Sequence, residues 1–257
     1  LAGERLQLRG GTIAMGAIFR LSLRQLAGGR VRLAITLIAG GLPVVIAGIA
    51  RAFGGPEGTD DEFIQVAFGT VLIPIVLPII AMAMGTAAFG EEIEDRTLSY
   101  LTMKPISRFR IVLAKYLAVV AVTGPILIVS GVAVALLADL SGVKPSLSIA
   151  TALFAGTVAY GALFTWAGLI TSRGVALGLG LMYIFLWEGV ASGLLVGMRY
   201  GSVGAWTMSM MYGLDNQSFS MFEDVVIGLW AAITGVGIAA VLFIGLSLVR
   251  LRRMDVP

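Results

Sequence analysis

Six apolar stretches, each near the length that crosses a bilayer, alternate with short charged connections, and no water-soluble fold accommodates that pattern. They cover residues 33–50, 66–89, 111–138, 147–170, 174–197 and 225–249 of the 257. A helical span needs about 20 apolar residues. Charged residues make up only 13% of the chain, about half the share a soluble domain carries. That is too little to coat a water-facing surface. The expected fold is an all-α membrane protein with six transmembrane helices. Pro74 and Pro78 should bend the second, where neighbouring helices can re-satisfy the freed backbone groups.

Charge orients the spans. With both termini cytoplasmic, 15 of the 18 Lys and Arg fall inside, and only Arg51, Lys144 and Arg199 fall outside. This is the asymmetry the positive-inside rule describes. Glu57, Asp60, Asp61 and Glu62 lie in the first outer loop. An odd number of spans would scramble the pattern. Residues 1–30 read as an N-terminal cytoplasmic segment, and residues 31–257 as a single six-helix domain. Within the first, Ile13–Leu26 has helical apolar spacing and precedes a Gly28-Gly29 break. It reads as an interfacial helix on the cytoplasmic leaflet, or else as an extension of the first span. The chain begins with Leu, so Met15 is a candidate start, which would make residues 1–14 an extension. No cleavable signal peptide is expected, because the first 30 residues lack a clean apolar core after a basic start. There is no Cys and no His. Disulfides, thiol catalysis, His-ligated haem and zinc sites of the Cys/His kind are therefore excluded.

The connection between the second and third spans is the most informative segment, running from Glu91 to Arg108. Glu91, Glu92, Glu94 and Asp95 suit a helix N-terminus. Thr97, Leu98 and Leu101 share a face by i, i+3 and i+4 spacing. Pro105 favours a stop near Met103, and Ser107 can cap the next helix. The result is a short amphipathic cytoplasmic helix clamped between two spans. Its apolar ridge invites a partner; the plain alternative is a solvated turn.

This loop resembles that of permease subunits of type-2 ATP-binding-cassette exporters, whose pattern runs E-x-E-x-x-T-L-x-x-L-x-x-x-P-[IV]-S-R with a basic residue in the next helix. The chain supplies Glu92, Glu94, Thr97, Leu98, Leu101, Pro105, Ile106, Ser107, Arg108 and Lys115, and departs from the common form at Arg96 and Ser99. The resemblance implies a coupling helix docked on a cytosolic ATPase, with Glu92, Glu94, Thr97, Leu98, Leu101, Pro105 and Arg108 as the docking residues. It also implies two ATPase copies, a second permease subunit (the same chain or a related one) and a prokaryotic cell membrane. No phosphate loop of the form G-x-x-x-x-G-K-[ST] occurs. ATP and Mg²⁺ thus belong to the partner, this chain should hold no cofactor and catalyse nothing itself, and no nucleic-acid partner is expected.

Glu188 is the one acid deep in a span. It should face protein or a watery cavity, either as a substrate or proton contact or as a structural hydrogen bond between helices. Gly189, Gly193 and Gly197 form a small-residue ridge, which Gly174 and Gly178 extend inward and which serves either packing within the chain or a dimer seam. Residues 198–224 are too apolar for a solvated loop. Short re-entrant or interfacial helices are expected around Gly204–Tyr212 and Ser218–Phe222. By resemblance these cap the path, with Glu188, Trp206, Met210 and Tyr212 as outer-gate residues. The methionines could bind cuprous ions, but adaptable packing is the default. Competing functions are a secondary transporter, an intramembrane enzyme and a non-transporting ATPase anchor. The first would show matched broken helices in its two halves. The second would need a nucleophile–base pair or metal ligands.

Overall fold

A computed structural model describes residues 2–53, 60–95, 107–140, 142–191 and 196–254, and among them every regular element is helical. Helix α1 is Ala2–Gly28 and α2 is Arg30–Phe53. Rod α3 has three consecutive parts, Asp60–Ile64, Gln65–Val76 and Leu77–Glu94. Helices α4 (Arg108–Leu137) and α5 (Val143–Ile170) follow. Rod α6 joins Arg173–Met182 to Tyr183–Ala191. A 3₁₀ turn, Val196–Gly201, leads into α7 (Val203–Leu214), and a second, Ser220–Phe222, precedes α8 (Leu229–Arg253).

Among the described residues, four helices are long and apolar enough to cross a membrane: Asp61–Glu94, Arg108–Leu137, Val143–Ile170 and Leu229–Arg253. Thr36–Ala52 and Gly174–Gly189 are shorter apolar helices. Their outward faces carry bare hydrocarbon. Val129 is 68% exposed and Val241 75%, a cost in water but the natural state against lipid tails.

Helix α5 is the hub and packs on α3, α4, α7 and α8. Small residues allow it. Ala152, Ala155, Gly156, Ala159, Ala162 and Gly168 are buried along it, so neighbouring backbones approach closely. A Cβ at Gly156 would stand 2.6 Å from Thr207 Oγ1, and one at Gly168 would stand 2.7 Å from the Thr86 carbonyl oxygen. Large side chains fill the remaining space, with Phe68, Leu72, Leu77, Tyr160 and Phe164 almost wholly buried.

Both rods α3 and α6 contain a wide π-helical part, Gln65–Val76 and Tyr183–Ala191. In the first, the Leu77 N–H bonds back to Leu72. The expected bend at Pro74 is thus taken up as a wider turn. A proline ring clashes with the carbonyl four residues earlier in a tight helix, and closing the turn at i+5 moves that carbonyl aside.

Element ends differ from the hydropathy reading in three instructive places. The second stretch, expected to stop at residue 89, continues to Glu94, so Glu91, Glu92 and Glu94, expected at a helix N-terminus, lie in the last turns of a helix. The last helix begins at Leu229, not at residue 225, because the Ile227 N–H is taken by Ser209 Oγ at 2.8 Å. It also continues to Arg253, since basic residues suit a helix C-terminus. The fifth stretch changes character within its expected bounds, from a wide turn at Tyr183–Ala191 to a 3₁₀ turn at Val196–Gly201. The break at Gly28-Gly29 is where α1 ends. Helix α1 lies against the end of the bundle where α3 stops and α4 starts, with Ile18 and Leu26 buried beside Phe89, Ile111 and Leu251.

The contact at Gly168 meets backbone that cannot swing away. Gly168→Ala should lower stability by about 1–3 kcal/mol through overpacking. Gly178→Ala, with nothing within 4 Å, should not. Thermal unfolding in detergent micelles compares them.

Candidate functional site

The end of the bundle around residues 92–115 is held by two cations on α4. Lys115 is 2% exposed, and its Nζ lies 2.6 Å from Glu92 Oε1. It also donates to the Ala88 carbonyl and sits 4.7 Å above the Phe89 ring. All three partners belong to the last turns of α3, so a buried ammonium caps a helix C-terminus, where a cation is favoured. Arg108 Nη1, seven residues earlier, donates to the carbonyls of Leu251 and Arg252 at 2.8 Å each. It caps the end of α8 in the same way. One helix thereby grips two others by their C-termini.

This geometry sorts the residues expected to dock a partner. Thr97, Leu98, Leu101 and Pro105 lie outside the described residues. Glu94 is exposed. Glu92 points inward to Lys115, and Arg108 reaches across to α8. Both brace the spans that flank the segment instead of projecting from it. The sequence pattern could not separate these roles, because it reports spacing and not direction.

The opposite end is pinned by charges from different helices. Arg51 of α2 pairs with Asp139 after α4, and Lys144 at the start of α5 lies 3.3 Å from Asp215. Ser148 donates to the Met211 carbonyl beside it. Burial would push the Asp215 carboxyl up, but hydrogen bonds from Ser218 and Lys144, together with the Lys144 charge, outweigh it and hold the group below the usual carboxylate range.

The expected short helices are present here as α7 and the Ser220–Phe222 turn. Helix α7 is buried, with Val203–Ser209 and Met211 inside the fold. Its N-terminus is the polar centre of the region. Ser202 Oγ accepts from the Ala205 N–H at 3.0 Å, an N-cap. Glu188, only 6% exposed, accepts from the Val203 and Gly204 N–H groups at 3.0 and 3.3 Å. It also accepts from the Tyr183 hydroxyl at 2.8 Å and from the Ser202 hydroxyl. Residues five apart face one another only because the turn there closes at i+5; in an α-helix Tyr183 and Glu188 would diverge. Trp187 and Trp206 donate from either side to the carbonyls of Gly201 and Tyr200, at 3.1 and 3.0 Å.

A cavity of about 390 Å³ lies against this centre, between the two wide-turn segments. Thr70, Pro74 and Ile75 line one wall; Ile184, Phe185 and Glu188 line the other; Ser202, Ala205 and Met208 close it. Of the four expected gate residues only Glu188 lines it. Trp206 packs against Gly235 of α8, while Met210 and Tyr212 rest on the core. The Pro74 signal was visible in the sequence, but its pairing with residues 184–188 was not, because that requires knowing which rods are adjacent.

The glycine ridge has no partner helix among the described residues. Gly197, Gly174 and Gly178 meet nothing within 4 Å, Gly189 borders the cavity, and Gly193 lies outside the described residues. Gly180, off the ridge, is the one that packs, on Met82. Met208 and Met211 fill the core.

Removing Lys115 leaves Glu92 as a buried charge without its cation. Lys115→Met should cost about 3–5 kcal/mol, and Lys115→Met with Glu92→Leu should recover much of it. Denaturant unfolding in micelles checks both. A second test concerns pH. The depressed Asp215 carboxyl stabilises the fold above its unfolded pKa, and this contribution is lost as pH falls through the folded value. Melting curves taken down an acid series should show this loss in the native chain and not in Asp215→Asn.

A sequence model of the family described as ABC-2 family transporter protein matches residues 13–256. No curated protein matches the chain.

Proposed function

The chain therefore belongs to the ABC-2 transporter family, and from that premise we propose that it is the permease subunit of an ATP-driven exporter. Membership implies partnership with an ATP-binding-cassette ATPase. In this reading the four long helices and the two shorter apolar ones make six passes. Both termini are cytoplasmic in a prokaryotic cell membrane, α1 lies along the inner leaflet, two ATPase copies dock below, and a second permease completes the path. The open faces of Gly174, Gly178 and Gly197 suit that second permease.

The observation that carries the reading is the double grip of α4. Residues 96–106 connect α3 to α4, and Lys115 ties those same two helices together directly beneath. A push on the connection is not absorbed by parting them. It moves α3 and α4 as a unit, and Arg108 passes it to α8. Glu94, Thr97, Leu98 and Leu101 form the docking face, while Glu92 and Arg108 form its mount. At the other end α7 and the Ser220–Phe222 turn close the path. The cavity between the wide-turn segments is where an amphipathic cargo passes, because its walls are mostly apolar.

A secondary transporter would need a carboxylate free to exchange protons or ions. Glu188 instead accepts hydrogen bonds from Tyr183, Ser202, Val203 and Gly204 of this chain. The docking claim has a direct check. Truncation of a buried leucine at an interface costs on the order of 1 kcal/mol or more. Leu98→Ala with Leu101→Ala should therefore reduce co-purification of the ATPase by about tenfold or more. Undiminished recovery would count decisively against docking through this segment.

A further inference from the structure

We propose that Glu188 is a latch on the outer closure: its carboxylate holds the N-terminus of α7 while the path is shut and releases it when the path opens. This goes beyond the exporter reading and rests on it only for the direction of opening.

Three features of the geometry point this way. The first is saturation. Glu188 receives hydrogen bonds from Tyr183, Ser202, Val203 and Gly204, two on each oxygen. A group so occupied has little left for a cargo cation. The second is that the bonds cross between elements. Glu188 belongs to the wide-turn part of α6, and three of these four donors belong to the start of α7. Trp187 reinforces the same seam through Gly201. Gly204 lets the carboxylate in, since a Cβ there would stand 3.1 Å from Glu188 Oε2. The third is room. The seam borders the cavity, so α7 has space to move into, which a close-packed core would deny.

The first N–H groups of a helix have no partner within it. Buried in the fold, they cannot turn to water. Glu188 therefore makes the shut position of α7 the one in which those groups are met. Loss of the carboxylate should leave α7 free to leave that position without a signal from the ATPase.

The chain has no cysteine of its own, so single reporters are clean. Met208→Cys lines the cavity, and Val143→Cys, 77% exposed at the start of α5, controls for access at that end. Each is expressed with the partner ATPase in right-side-out membrane vesicles and labelled with a membrane-impermeant maleimide, with and without ATP and vanadate trapped inside. With Glu188 intact, Met208→Cys should label slowly without nucleotide and about tenfold faster when trapped. With Glu188→Ala it should label fast in both conditions, at least about tenfold above the intact chain without nucleotide. Glu188→Gln, which keeps one acceptor, should fall between. Val143→Cys should label equally throughout. Slow labelling of Met208→Cys in Glu188→Ala that still responds to nucleotide would overturn the latch. If Glu188→Ala does not accumulate in the membrane, Glu188→Gln and Ser202→Ala decide the same comparison. If the intact chain ignores nucleotide, the exporter reading falls, while the nucleotide-free comparison still judges the latch. If Val143→Cys labels only in inside-out vesicles, the orientation falls, and the latch is judged there by the same ratio.

Discussion

Inside a bilayer an unmet N–H or C=O has no water to turn to, and this fold is organised around the places where a helix must end or widen there. Long helices such as α4 and α5 begin or end beside charged residues, Arg108 and Asp139 for the one, Lys144 and Arg173 for the other. Helix α7 starts inside the fold instead. Its first N–H groups need acceptors, and the chain supplies them from Ser202 and from Glu188 on another rod. That need explains why a carboxylate sits in so apolar a run as Tyr183–Ala191. It also explains the wide turn, which swings Tyr183 onto the face of Glu188. Pro74 imposes a similar widening on α3. The two loosened segments face each other across the cavity, so the void lies where regular helical packing is interrupted on both sides.

The same rule governs the opposite end in mirror image. There the unmet groups are carbonyls at the C-termini of α3 and α8, and the remedy is a cation on α4 for each. Helix C-termini attract positive charge, so Lys115 and Arg108 do structural work that happens to lie inside the positive-inside count. The basic residues that the positive-inside rule counts are therefore not all surface charge. Between the two ends, α5 transmits contact through small residues. At Gly156 it touches Thr207 of α7, and at Gly168 it touches Thr86 of α3. A shift of α3 at its braced end thus has a packed route toward α7.

Periodicity and charge made much of this legible in advance. The apolar runs, the break after Gly28, the short helices expected around residues 204–212 and 218–222 and the inward demand of Glu188 follow from hydropathy, glycine placement and the cost of a buried acid. Directions and neighbours were not legible. Glu92 and Glu94 sit two apart in one motif, yet the first turns to Lys115 and the second is exposed. Trp206 is prominent in an apolar loop but binds the backbone of Tyr200, while inconspicuous Thr70 and Ala205 line the cavity. The ridge of glycines left packing within this chain and a dimer seam equally open. Gly174, Gly178 and Gly197 have open space beside them, whereas Gly156 and Gly168 of α5 meet their neighbours closely.

Both polar centres raise the question of why charge is used where hydrocarbon would serve. A buried ion pair or caged carboxylate is weak evidence for stability, since well-packed apolar replacements of similar volume are often as stable or more so. What a directional group adds is position. An apolar side chain would tolerate α7 at several depths beside α6, because dispersion contacts vary smoothly with sliding. Four hydrogen bonds on one carboxylate do not, because their geometry fails within a fraction of an ångström to an ångström of displacement. Glu188 thereby gives α7 one defined resting place beside a cavity into which it can move. Lys115 and Glu92 likewise fix the relative height of α3 and α4 where their connection begins. In the exporter proposed above, a displacement carried from one end to the other depends on such fixed registers at both ends more than on additional stability.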